Sequence, residues 1–401
     1  MPHPNCIVYL DSLTRNPDGT LSAYIDFRME EDVAVFKAYS PDNRAFNESR
    51  TFIRLESFRA TKRLIHDCYY KLNLELLNQH KQYQAAVEGD NAGIVGMTYF
   101  LNQMPVPADD ASELLQSHEL LDPAEMLCDE GNRNIALPQI PNKDLTLIVR
   151  DVAQANWNEL LAGDKIVVSY DLGARMDASA AEVREVFENR REKYEQDKPV
   201  LVLSHWDIDH YHCLVKMDEG QIANCFSKCV CVNKITSVTG KRTYDKLQRA
   251  LGNANVCCLI PPAHTDGIQM HHWRNFGNLS IYQGEASRNR NFCGLSLFVK
   301  GFGKNANLTG DLKLKQAKST YDIELAGGIG TDEHILVAPH HGGDYGSRFR
   351  EYSAPTAEVV ISVGAGNRYG HPENNMLAYL NGLCGGNVKT TDVGGEVVEA
   401  L

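Results

Sequence analysis

Residues 199–212, PVLVLSHWDIDHYH, constrain this chain more than any other segment. A continuous apolar run, the pattern of a strand buried on both faces, passes directly into four side chains of metal-ligand type: His205, Asp207, Asp209 and His210. On an extended segment leaving a strand, His205, Asp207 and Asp209 project to one side, because alternate side chains share a face. A polar turn with chance histidines would rarely reach this density at a strand end. The segment therefore predicts a metal site built at the edge of a sheet.

Two further segments repeat the arrangement. NLTGDL (307–312) sets Asp311 after a glycine, and LVAPHHGG (336–343) sets His340 and His341 after an apolar strand. A carboxylate reaching two ions can bridge them and polarise a shared water. Mixed His and Asp ligands suit Zn²⁺ or Mn²⁺, so two divalent ions of this kind are the expected cofactors.

The surrounding pattern alternates strands and helices. Apolar runs at 145–153, 165–173, 255–263, 279–284, 294–302 and 358–366 read as strands, and Ala178 to Gln196 as a charged amphipathic helix. Strands outnumber helices in mixed order, which predicts an α/β protein of the αββα type, two sheets flanked by helices. The proline-bearing segment 136–144 marks a boundary, giving a separate N-terminal α+β domain at 1–140 and a second domain at 141–401. Within the first domain, runs at 6–10, 21–27 and 32–39 predict strands, with a turn at Asn-Pro-Asp-Gly 16–19. Leucines spaced by three and four predict a long helix over 57–84, and a second is expected over 92–103. PVPADD (105–110) and the acidic stretch beyond it read as linker.

Charge is uneven. The chain carries 40 basic and 52 acidic side chains; residues 1–140 have a net charge of −9 and residues 141–401 of −3. A nucleic-acid partner is disfavoured by the whole chain's charge, but not by that of the second segment. The basic run 234–249 is read first as a solvated helix face and second as a phosphate-tracking strip. Gly327, Gly328 and Gly330 lack a P-loop lysine and predict no nucleotide cradle. Eleven scattered cysteines, no apolar span of membrane length and no secretory leader pattern predict a cytoplasmic protein with free thiols and no membrane partner.

The ordered set H-x-D-x-D-H (205–210), Gly-Asp (310–311) and PHHGG (339–343) resembles the metallo-β-lactamase superfamily. Together with RDVAQANWNELL followed by YDLGA, and ISVGAGNRYGHPE (361–373), it looks like the hydrolase domain of bacterial ComEC-type DNA-uptake proteins. That resemblance spans about residues 145–390. It implies that His205 and Asp207 bind a first metal, Asp209 and His210 a second, that Asp311 bridges, and that His340 completes the second site. His341 would face substrate, Asp171 would hydrogen-bond a ligand histidine from behind, and His371 would touch a phosphate or protonate a leaving group. Lys313, with Lys315 and Lys318, and Arg368 would favour an anionic substrate.

Tyr211, His212 and Cys213 stand where such proteins carry small residues. The third-motif histidine has no clear counterpart, and His264, His271 and His272 read as loop residues. The implied activity is phosphodiester hydrolysis by metal-activated hydroxide, with DNA as the foremost substrate. The alternatives are a metallohydrolase of a small anionic substrate (a cyclic nucleotide, phosphoester or lactone) and a non-catalytic scaffold. Residues 1–140 would serve a protein partner or homo-oligomer.

Overall fold

A computed structural model describes residues 5–39, 50–60, 62–65, 67–86, 94–101, 113–117, 135–140, 144–265, 269–287, 289–329, 333–343 and 351–401. The linker expected at 105–110, residues 141–143 of the expected boundary, and Gly330 lie outside them. The chain forms two compact units. One comprises residues 1–127, 177–184 and 235–244, and the other 128–176, 185–234 and 245–401.

The first unit holds β1 (Asn5–Arg15), β2 (Leu21–Phe27), α1 (Glu30–Tyr39), β3 (Phe52–Phe58), β4 (Cys68–Asn73), α2 (Leu74–His80), β5 (Lys81–Ala86), β6 (Val95–Leu101) and β7 (Leu115–Ser117). Among the described residues these strands form one sheet in the order β5-β6-β3-β2-β1-β4-β7. The 16–19 turn forms as its sequence predicts, with Gly19 N donating to Asn16 O at 2.9 Å.

Three expectations fail here. DVAVFKAY lies in helix α1, whose first turn carries Glu30, Glu31 and Asp32, the acidic start that the helix dipole favours. The expected helix over 57–84 is instead a strand, a two-turn helix and another strand. Asn73 causes the break: its Oδ1 accepts from Glu75 N and Leu76 N at 3.1 and 3.0 Å, ending β4 and capping α2. The second expected helix, within 94–101, is strand β6, paired in parallel with β3; the residues flanking it lie outside the described ones.

The second unit carries β8 (Leu145–Val149), β9 (Asn158–Ala162), β10 (Lys165–Tyr170), α3 (Ala180–Asp197), β11 (Val200–Val202), α4 (Ile208–Lys216), α5 (Glu219–Cys225), β12 (Lys228–Val232), α6 (Val238–Leu251) and β13 (Val256–Leu259). It continues with β14 (Met270–Phe276), β15 (Leu279–Gly284), β16 (Leu295–Lys300), β17 (Lys304–Leu308), α7 (Leu314–Ala326), β18 (Glu333–Val337), β19 (Thr356–Ile361), α8 (Asn374–Leu383), β20 (Val388–Thr390), α9 (Thr391–Gly394) and β21 (Val397–Ala400). Residues 180–184 of α3 and 238–244 of α6 belong to the first unit.

Two seven-stranded sheets result among the described residues, ordered β13-β12-β11-β10-β9-β8-β21 and β14-β15-β16-β17-β18-β19-β20. The protein is thus a mixed α/β chain with several sheets. In the first of these two sheets β10 to β13 run parallel, and in the second β17 to β20 do. Parallel strands bring their C-terminal ends to one edge, where the following loops gather. Hydrogen bonds tie the two sheets at that edge: Tyr170 Oη donates to Leu295 O at 2.7 Å, Leu295 N to Ser204 O at 2.8 Å, and Ser362 Oγ to Ala155 O at 2.7 Å. One outer layer packs α7 and α8 through Leu314, Ala317, Met376 and Leu380 onto Phe298, Leu336 and Ile361.

The ten cysteines among the described residues are all free, and nine of them are buried. No helix among those residues is long and apolar enough to cross a membrane.

Candidate metal centre

Five loops at strand ends supply the site. The loop after β11 carries His205 and Asp207, and Asp207, on extended backbone, is the N-cap of α4. Asp209 and His210 therefore stand on the first helical turn, where the sequence reading placed an extended loop. Their neighbours fill the helix's buried face: Tyr211 packs edge-on against Trp206 at 5.3 Å, and His212 Nδ1 lies 3.0 Å from Arg175 O. Bulky residues are accommodated after the Asp-His pair because α4 begins at once.

The loop after β17 brings Asp311, and the turn after β18 brings His340 and His341. Both histidines have left-handed backbone, at φ 52° and 53°. Such a pair persists only where the surroundings enforce it, and it is a mark of functional sites. The close approach of these loops depends on glycine. A Cβ on Gly173 would sit 1.8 Å from Asp209 O and 2.7 Å from Asn156 O.

The ligand-type atoms converge. His210 Nε2 lies 3.1 Å from Asp311 Oδ1 and 3.9 Å from Asp209 Oδ1. His341 Nε2 lies 3.2 Å from Asp209 Oδ2 and 4.0 Å from Asp311 Oδ1. Ligands about 2.1 Å from a tetrahedral ion are separated by roughly 3.4 Å, so these four residues match one cradle. Beside it, His205 Nε2 lies 3.3 Å from Asp207 Oδ2 and 3.7 Å from Asp311 Oδ2, and His340 Nε2 lies 3.8 Å from Asp311 Oδ2. The sequence reading assigned His340 to the Asp209–His210 group. The structure brings His341 into that group instead, and sets His340 on the far oxygen of Asp311.

Hydrogen bonds behind the histidines fix which nitrogen faces the cradle. Asp171, wholly buried at φ 62°, accepts from Ser204 N (2.7 Å), Ser204 Oγ (2.8 Å), Asn156 Nδ2 (2.7 Å) and His210 Nδ1 (2.8 Å). With its one hydroxyl proton given to Asp171, Ser204 accepts from His205 Nδ1 at 2.9 Å. His341 Nδ1 donates to Ser362 O at 2.7 Å. The Nε2 atoms of His205, His210 and His341 are buried without a hydrogen bond. Three imidazoles pinned by Nδ1, with Nε2 lone pairs turned toward shared carboxylates, have the donor set of a divalent transition-metal site.

The electrostatics agree. Burial pushes His210 toward its neutral form, but Asp311, Asp171 and Asp209 outweigh it and hold the ring well above the usual histidine range. His341 is raised against burial by Asp209 and Asp311. Asp311 is held well below the usual carboxylate range, against burial, by His210, His340 and His205. The cluster favours added positive charge at its centre.

His371 stands at the rim, its ring 5.0 Å from that of His340. Burial, then the charges of His340 and His341, lower it to about 3, so it offers a neutral N–H. The expected substrate cations are engaged with the protein. Lys313 is buried with its ammonium 3.6 Å from the Phe292 ring centre, and Arg368 bonds Tyr369 Oη at 2.9 Å. Lys315 pairs with Glu351 at 3.1 Å and Lys318 with Asp322. His271 and His272 lie on β14, not in a loop; His271 Nε2 is 3.1 Å from Glu285, and His272 Nε2 is 2.6 Å from Asn275.

Sequence reading missed Ser204, Asn156 and Arg290. Arg290, 1% exposed, forms an ion pair with Asp207 through Nε. The first two flank recognised motifs, whereas nothing local signals Arg290.

No protein-family model matches the chain, and no curated protein sequence does. Solved structures similar to it include the metallo-β-lactamase fold protein YhfI from Bacillus subtilis, at 10% identity, covering 63% of this chain and 99% of that one, with a TM-score of 0.37. Another is CmlA, a diiron β-hydroxylase from Streptomyces venezuelae, at 13% identity and TM-score 0.35, covering 65% of this chain and 55% of that one. A third is a long form RNase Z from yeast, at 10% identity and TM-score 0.35, covering 64% and 42%.

Proposed function

We propose that the second unit is a metal-dependent hydrolase of the metallo-β-lactamase kind, an αββα body acting on phosphodiester bonds, with DNA as its foremost substrate. The observation that carries this reading is the convergence of His210, His341, Asp209 and Asp311 at 3.1–4.0 Å, with Nδ1 of both histidines hydrogen-bonded from behind. These residues would hold a divalent ion such as Zn²⁺ or Mn²⁺, with His205 and His340 on the far oxygen of Asp311. When bound, such an ion supplies an acidified water and a counter-charge for the transition state.

Asp171 locks His210, and Ser362 O locks His341, so the cradle is pre-organised. His371 at the rim would donate its neutral N–H to a substrate oxygen, and Lys313 and Arg368, held by Phe292 and Tyr369, would favour an anion only through their field. The first unit, which holds most of residues 1–140, would serve a protein partner or a second copy, in a cytoplasmic bacterial protein. The ComEC-type motifs favour DNA over a small phosphoester, cyclic nucleotide or lactone.

The test is a substrate panel with Mn²⁺, Zn²⁺ or Mg²⁺: single- and double-stranded DNA and RNA beside cyclic nucleotides and small phosphodiesters. Metal-dependent cleavage of DNA supports the reading. Hydrolysis of the small substrates alone would move the activity to that class.

A further inference from the structure

This inference rests on the metal-centre reading above and concerns its stoichiometry. Asp311 stands between two sets of side chains: Asp209, His210 and His341 on one side, and on the other His205, which closes a group with His210 and Asp311, with Asp207 3.3 Å from His205 and His340 3.8 Å from Asp311. They differ in one respect. Asp207 Oδ1 is ion-paired with Arg290, a buried residue of the segment that connects β15 to β16. A guanidinium stays protonated at every working pH and offers only donors. Asp207 Oδ2 still faces His205 Nε2 at 3.3 Å, so the guanidinium opposes a second ion by its charge and not by occupying the carboxylate. A dication on His205 and Asp207 would also sit beside that fixed positive charge.

We propose that Arg290 replaces one of the two metals: its guanidinium neutralises Asp207, and the protein holds a single tightly bound divalent ion on Asp209, His210, His341 and Asp311. Arg290 is then a positioning residue, orienting Asp207 and His205 beside a one-metal centre. The three carboxylates of the site are answered by one internal cation and one divalent ion, rather than by two ions.

The experiment counts metal on the full chain. Metal-stripped protein is reloaded with Mn²⁺ or Zn²⁺, desalted and analysed by elemental analysis, with a parallel calorimetric titration. The expected result is one ion per chain. Asp207→Asn, which keeps an acceptor for Arg290, leaves that count unchanged, whereas Asp209→Ala and His341→Ala weaken binding at least tenfold. Arg290→Met admits a second ion, and Arg290→Lys, which keeps the charge, does not.

Two tightly held ions in the unaltered chain would overturn the inference while leaving the hydrolase reading intact. So would a metal lost with Asp207→Asn and kept with Asp209→Ala. A chain that binds no metal would overturn both. If Arg290→Met fails to fold, the count in the unaltered chain and in Asp207→Asn still decides.

Discussion

Asp171 Oδ2 accepts a hydrogen bond from His210 Nδ1 at 2.8 Å, and through that contact a strained, wholly buried carboxylate sets the orientation of the histidine at the centre of the cradle. The same carboxylate holds both the backbone and the hydroxyl of Ser204, which in turn orients His205. One residue after β10 therefore positions two imidazoles from the neighbouring strand.

Asp171→Asn tests this directly. Asparagine tolerates the left-handed backbone and still accepts from Ser204 N, so the fold is kept. It cannot bind His210 Nδ1 as a charged acceptor. Metal affinity is expected to fall about 10- to 100-fold, read by calorimetric titration. Unchanged affinity would remove Asp171 from the account.

The paired histidines are expected to separate. His341→Ala removes a cradle atom 3.2 Å from Asp209, while His340 lies outside that cradle. Turnover and metal retention should fall by about 100-fold or more for His341→Ala and by far less for His340→Ala. Parallel assays of the two variants check this, and the reverse order would restore His340 to the ligand role that the sequence motif implied.

Gly173→Ala should damage the fold at the site. Its Cβ would meet Asp209 O and Asn156 O well inside contact distance. Both neighbours are backbone, so the start of α4 must move. A loss of about 1–3 kcal/mol is expected from urea unfolding, with weaker metal binding. A neutral outcome would show that the loops are not in contact as described.

His334 predicts a pH dependence away from the metal centre. Burial lowers it to about 3; its Nε2 lies 2.6 Å from Tyr352 Oη, and its ring stacks on Phe298. The unfolded chain protonates this histidine near pH 6.5, whereas the folded chain keeps it neutral to about 3. Its contribution is complete above the unfolded value and is lost as pH falls from there toward 3, at about 1.4 kcal/mol per pH unit. His334→Phe should flatten that acid limb, compared by denaturant unfolding at pH 6.5 and 4.5; identical slopes would refute the assignment.

Much of this was readable in the sequence, for physical reasons. Buried parallel strands such as 165–170 and 200–202 are apolar on both faces, and they announce themselves. Polar site residues at their ends stand out against that background, as Asp171 and His205 do. The first unit was less legible. Leu72, Leu74 and Leu77 keep helical spacing while Leu72 lies in β4 and the others in α2; only the capping geometry of Asn73 reveals the break. Arg290 was invisible because its partner lies far away in the chain, and a lone arginine in a loop carries no pattern. The choice between His340 and His341 turns on two consecutive left-handed residues, which no spacing rule encodes.

The most direct measurement follows DNA cleavage while metal-stripped protein is titrated with Mn²⁺ or Zn²⁺, for the unaltered chain and Asp209→Ala. The account predicts cleavage that rises with metal occupancy, disappears with chelator and falls by roughly 10³-fold in the variant. Cleavage that is independent of metal, or equal in the variant, would contradict it.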